Sequence, residues 1–180
     1  MALTSTMYVC AIELADMDRD VYESLEVRLA MHPSESPEYL VTRLLAYACE
    51  YTEGLEFSRG ISTPDEPALC VRDLTGRMQT WIDIGAPDAA RLHRASKVAD
   101  RVVVYSHRDM TQLLPQWSGQ RIHRAEAVEV YALNRSLVDA LAARLERRMA
   151  FALTITERQL YAALETVTLE GALTRHPLPS

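Results

Sequence analysis

Acidic side chains are where this chain could do chemistry. Pro64-Asp65-Glu66 leads into the short apolar segment 68–72, and Asp83 stands near the end of the next one, in Trp81-Ile82-Asp83-Ile84-Gly85. A hairpin between the two segments would bring Asp65 and Asp83 together. Neighbouring carboxylates repel unless they share a proton or a cation, and two or three of them with a carbonyl and waters form a natural Mg²⁺ or Mn²⁺ site. The alternative is structural, with 65–67 a solvated loop and Asp83 a strand-end residue capping a neighbouring turn.

Other familiar chemistries lack their spacing. The six glycines form neither G-x-x-x-x-G-K-[ST] nor G-x-G-x-x-G, and no G-x-S-x-G elbow positions a serine. The five histidines sit singly at 32, 93, 107, 123 and 176, without metal-ligand spacing. Cysteines 10, 49 and 70 form no C-x-x-C pair and read as small buried hydrophobes. Lys97 is the single lysine among 19 basic residues. It is either an accident of arginine-favouring codons or a tunable proton donor of a kind that a guanidinium cannot replace.

Period-2 alternation over 6–14 and 21–30, split by Asp16-Met17-Asp18-Arg19-Asp20, predicts a β-hairpin. Ser34 or Ser36, Pro37 and Glu38 then open a helix over 35–52, with Leu40, Leu44, Leu45 and Ala48 as its apolar face and Gly54 as its stop. Strands are predicted at 55–59, 68–72 and 77–84, the last two joined by a turn at 73–76. Helices at 88–99, 108–117 and 135–147 alternate with strands at 101–105 and 127–132, and this rhythm favours a mixed sheet flanked by helices. Segments 149–156, 160–164 and 166–173 alternate again as a small antiparallel sheet. The expected class is thus α/β (mixed α+β), with antiparallel additions at both ends.

Length, charge and composition bound the rest. With 180 residues, 48% of them hydrophobic and 24% charged, the chain is expected to form one domain, 1–180, with a sizeable core. A net charge of −6 argues against indiscriminate DNA binding, so any nucleic-acid contact must be local. No apolar run approaches the ~20 residues that span a bilayer. The opening MALTSTMYVC has no secretory pattern, so the cytoplasm is the expected compartment and a membrane is not an expected partner.

The chain resembles the YaeQ family. The resemblance rests on His32-Pro33-Ser34-Glu35, Arg43-Leu44-Leu45-Ala46, Arg59-Gly60, Asp65-Glu66-Pro67 and Trp81-Ile82-Asp83-Ile84-Gly85-Ala86-Pro87-Asp88 leading to Arg91. It implies a variant of the PD-(D/E)XK nuclease fold, a four- or five-stranded central mixed sheet with flanking helices. It places Asp65, with Glu66 beside it, at the first acidic motif and Asp83 at the second, and brings in Glu35 or Glu38 from the preceding helix. Asp65 and Asp83 would hold Mg²⁺ or Mn²⁺, and a bound water would be the nucleophile. The scaffold's lysine is expected two positions after Asp83, where this chain has Gly85. Lys97 or Arg94 on the following helix is then the substitute cation. Arg59, Trp81 and Arg91 are the substrate-binding candidates; the bland alternatives are a salt bridge, core packing and a solvated helix face. Two functions follow: a metal-dependent phosphodiesterase acting on nucleic acid, or a non-catalytic module that binds nucleic acid or a protein on a degenerate nuclease scaffold.

Overall fold

The computed structural model describes residues 4–58 and 65–179. In chain order the elements are β1 (Thr6–Asp16), β2 (Val21–Met31), α1 (Pro37–Cys49), β3 (Leu55–Phe57), β4 (Leu69–Arg72), β5 (Met78–Ile84), α2 (Ala89–Val98), β6 (Arg101–Ser106), α3 (Met110–Trp117), β7 (Glu129–Leu133), α4 (Arg135–Ala142), β8 (Arg148–Thr156), β9 (Gln159–Ala163) and β10 (Thr168–Pro177). This is the mixed α/β class expected from the sequence. Among the described residues no helix is long and apolar enough to cross a membrane. The chain divides into two compact units. One takes the chain through Cys49 and again over Leu133–Thr174; the other takes Glu50–Ala132 and the tail from Arg175.

The first unit is built on the predicted hairpin. Asp16 closes its turn by accepting from the N–H groups of Asp18 (3.1 Å) and Arg19 (3.2 Å) and from Arg19 Nε (2.6 Å). Asp20 takes a left-handed φ of 58°, a conformation that aspartate tolerates better than most residues. The strand order is β2-β1-β8-β9-β10, antiparallel throughout except for the parallel pair β1/β8. Alternate residues form the buried face: Cys10, Ile12 and Leu14; Leu25, Val27 and Leu29; Phe151, Leu153 and Ile155. Helix α1 begins where Ser36 Oγ accepts the Tyr39 N–H at 3.1 Å, and it buries Leu40, Val41, Leu44 and Leu45. It ends at Cys49, short of the expected 52; Gly54, at φ 90°, serves the turn into β3 instead. Helix α4 stops at Ala142 rather than 147, because the N–H groups of Arg144 and Leu145 turn to carbonyls three residues back, which tightens the chain out of the α-helix. At Gly171 an added Cβ would lie 2.7 Å from Asn134 Cβ and 2.8 Å from Leu137 Cβ, so β10 passes the start of α4 only because this position lacks a side chain.

The second unit carries a five-stranded mixed sheet in the order β7-β6-β5-β4-β3. Strands β3, β4 and β5 are antiparallel, whereas β5/β6 and β6/β7 are parallel. Parallel neighbours need a crossover, and α2 and α3 supply the two. Asp109 caps α3 by accepting from Thr111 N at 2.9 Å, which moves the helix start from the expected 108 to Met110. A single 3-10 turn over Ala125–Ala127 delays β7 to Glu129. Trp81, Val102, Val104 and Val130 from the sheet meet Leu92, Ala95, Leu113 and Trp117 from the helices in one core, where Trp117 Nε1 donates to the Pro87 carbonyl at 2.8 Å.

Cys10, Cys49 and Cys70 are buried and form no disulfide. Burial pushes the Cys10 thiol up to about 12, so it stays protonated and acts as an apolar side chain.

Candidate functional site

Strand β5 sets the phase of the site. Trp81 and Asp83 share one face and Ile82 and Ile84 the other, as a period-2 strand requires. The strand then ends at Gly85, whose φ is 87° and whose N–H donates to the Tyr105 carbonyl at 2.9 Å. That left-handed conformation favours glycine at this position, since a side chain there would cost roughly 1–2 kcal/mol.

Asp88 next caps α2, its Oδ1 accepting from the Arg91 N–H at 2.7 Å. The cap fixes the first turn, and with it the place of Arg91. The Arg91 guanidinium grips Asp83 with both arms: Nε donates to Oδ2 and Nη2 to Oδ1, each at 2.9 Å. Nη2 also donates to the Glu66 carbonyl at 2.6 Å, and the guanidinium carbon lies 5.4 Å from the Trp81 ring centroid. The Asp83 side chain is only 3% exposed and that of Arg91 23%. This is a bidentate, charge-assisted pair in a poorly hydrated place, the geometry in which arginine and carboxylate bind most strongly. Asp88→Ala should cost about 1 kcal/mol of stability through the lost cap, measured as a lower urea midpoint with an unchanged slope.

Among the described residues, no side chain of the remaining candidates forms a hydrogen bond or ion pair with Asp83. Asp65 is exposed, and no described hydrogen bond or ion pair joins it to Asp83. Glu66 reaches the pair through its backbone carbonyl rather than its carboxylate. Trp81 is 4% exposed and belongs to the core, with no acceptor for its indole N–H among the described residues. Glu35 and Glu38 belong to the first unit. Glu35 precedes α1, takes the His32 N–H on Oε1 at 3.2 Å and lies 3.6 Å from Arg43 Nη2 through Oε2. Glu38 sits in the first turn of α1, where its carbonyl accepts the Thr42 hydroxyl at 2.8 Å. Arg94 and Lys97 are exposed on α2 and make no described bond to Asp83. Arg59 lies outside the described residues. Among the described residues no three His, Cys, Asp or Glu side chains gather to hold a metal. Arg91 is thus the partner of Asp83, where the sequence suggested other acids.

On the opposite face of the same sheet lies a cluster that the sequence reading missed. Val102 and Val104 of β6 enter the core, so Arg101 and Tyr105 point the other way. Arg101 joins two carboxylates, donating to Glu50 (Nη1–Oε2 2.6 Å, Nη2–Oε1 3.1 Å) and to Glu129 (Nε–Oε2 2.5 Å, Nη2–Oε1 3.2 Å). The Tyr105 hydroxyl donates to Glu50 Oε1 at 2.7 Å and that of Tyr131 to Glu129 Oε1 at 3.0 Å, and the two rings stack 5.2 Å apart. Burial opposes the charge on Arg101, but the two glutamates outweigh it and raise its pKa above the usual value. The β6 alternation was a legible signal; the distant Glu50 and Glu129 were not.

The YaeQ protein family model matches residues 1–173. The chain is 29% identical to the YaeQ protein of Escherichia coli (strain K12) and 30% identical to that of Salmonella typhi, over the full length of both chains in each case. Among solved structures it is similar to the YaeQ protein from Pseudomonas syringae (32% identity, TM-score 0.84, 95% of each chain). It is also similar to the YaeQ protein from Xanthomonas axonopodis pv. citri (30% identity, TM-score 0.85, 98% of this chain and all of that one).

Proposed function

The chain belongs to the YaeQ family, and from that premise we propose that it is a nucleic-acid-binding module on a PD-(D/E)XK-like scaffold that does not cut its ligand. The five-stranded mixed sheet of the second unit suits such a scaffold. The observation that carries the reading is the Arg91 guanidinium seated on both oxygens of Asp83. A divalent ion would need those same oxygens, and its charge would meet the guanidinium at close range. The described side chains therefore do not fit a resident Mg²⁺ or Mn²⁺. Gly85 at the lysine position supports the same reading, as do the outward-facing Arg94 and Lys97, whose charges are available to phosphate.

The purified protein should shift labelled DNA or RNA in a binding assay and yield no cleavage products with Mg²⁺ or Mn²⁺. Metal-dependent cleavage that Asp83→Asn abolishes would overturn the reading in favour of a phosphodiesterase. Failure to bind any nucleic acid would overturn it in favour of a protein-binding role.

A further inference from the structure

In a chain of net charge −6, one surface of the second unit gathers basic side chains from two segments. Helix α2 contributes His93 and, one turn later, Lys97; the segment after α3 contributes Arg121 and His123. The two segments are tied together where the His123 N–H donates to His93 Nδ1 at 3.0 Å, with the imidazole rings edge to face and their centroids 6.3 Å apart. Because Nδ1 accepts, the neutral His93 ring carries its hydrogen on Nε2, which makes that nitrogen a donor. Arg94 and Arg124 flank the group; both are exposed, and Arg124 sits at a left-handed φ of 50°.

Among the described residues none of Arg94, Lys97, Arg121 and Arg124 is held in an ion pair with a carboxylate. The nearby Asp100 is taken up by Arg77. The crowding shows at His93, whose basicity is lowered first by partial burial and then by the charges of Lys97, Arg121 and His123. Like charges gathered without a partner repel one another, and an anion laid across them removes that repulsion.

We infer that the face formed by His93, Lys97, Arg121 and His123, with Arg94 and Arg124 at its margin, is the surface on which the sugar–phosphate backbone of a nucleic acid docks. This rests on the nucleic-acid reading above and assigns it a place: the outer face of α2, away from the Asp83–Arg91 pair. Two separate segments present donors to successive phosphates, so contact is electrostatic and follows the backbone rather than the base sequence.

The test compares the wild type with two charge-matched double variants, Lys97→Glu/Arg121→Glu on this face and Arg28→Glu/Arg144→Glu on the first unit. Binding of a fluorescein-labelled oligonucleotide, as DNA and as RNA, is followed by anisotropy across a salt series. Thermal melts verify that both variants fold, which exposed substitutions should permit. The patch variant should bind at least about tenfold more weakly at low salt, with a slope of log affinity against log salt shallower by about 1.5, since two phosphate contacts are lost. The control variant should keep the wild-type slope. Equal weakening in both variants, or none in either, would overturn this surface while leaving the nucleic-acid reading in place. No binding by the wild type would overturn both.

Discussion

Arg91→Ala is expected to destabilise the fold by about 3–5 kcal/mol, read from the urea midpoint. The size follows from what the substitution leaves behind. Asp83 is 3% exposed, and its two oxygens are both spent on the Arg91 guanidinium. Without that partner the carboxylate is a buried charge with no counter-ion, the costly half of a broken pair. The variant also loses the donor to the Glu66 carbonyl and the cation lying over Trp81. Arg91→Lys should recover only part of the loss, because an ammonium is a point charge and cannot span both oxygens in the planar fork. Asp83→Asn should cost less than Arg91→Ala, since it removes the charge but keeps an oxygen acceptor of nearly the same shape. A loss below about 1 kcal/mol for Arg91→Ala would mean that water reaches Asp83 and that the pair does not hold the site closed.

Asp83 also shows where sequence reasoning stops. Its face was legible, because alternation through Trp81-Ile82-Asp83-Ile84 assigns it; its burial was not, since both faces of this strand are covered. Nor was its partner. Spacing alone offered other acids, but carboxylates gather only where a cation pays for them, and the cation here is a side chain one helical turn beyond a cap. The cap itself, Asp88 after Pro87, was readable as a helix start, and it delivers Arg91 to Asp83 through a backbone hydrogen bond that no residue count reveals. The first unit teaches the same lesson. Its hairpin was plain from Asp16 to Asp20 and from the alternating strands, and so were the antiparallel strands near the C-terminus. That β1 and β8 lie side by side in parallel was not, since parallel pairing between segments so distant in sequence leaves no turn signature.

Arg101→Met should lower stability by about 2–3 kcal/mol, less than a fully buried pair would, because the Arg101 side chain is 38% exposed and part of its charge is already screened. The pH dependence identifies the cause. Burial pushes the Glu129 carboxyl upward, but hydrogen bonding and charge from Arg101, aided by Tyr131 and Arg175, prevail and hold it below the ordinary value of 4.5. A carboxyl whose pKa is lower folded than unfolded stabilises the fold above the unfolded value and loses that contribution as pH falls through the folded one. Wild-type stability should therefore fall on acidification below about pH 4.5. In Arg101→Met the largest of these lowering influences is gone while burial still pushes Glu129 upward, and the penalty of the substitution should shrink as acid protonates the Glu129 carboxylate. At the alkaline end Tyr131 works in the other direction. Burial and the adjacent Glu129 raise its pKa above 10, so its contribution is complete below that value and disappears as pH rises through the raised one. Urea midpoints of wild type and Arg101→Met across this range should converge in acid; a constant difference at every pH would show that Arg101 acts by packing rather than by charge.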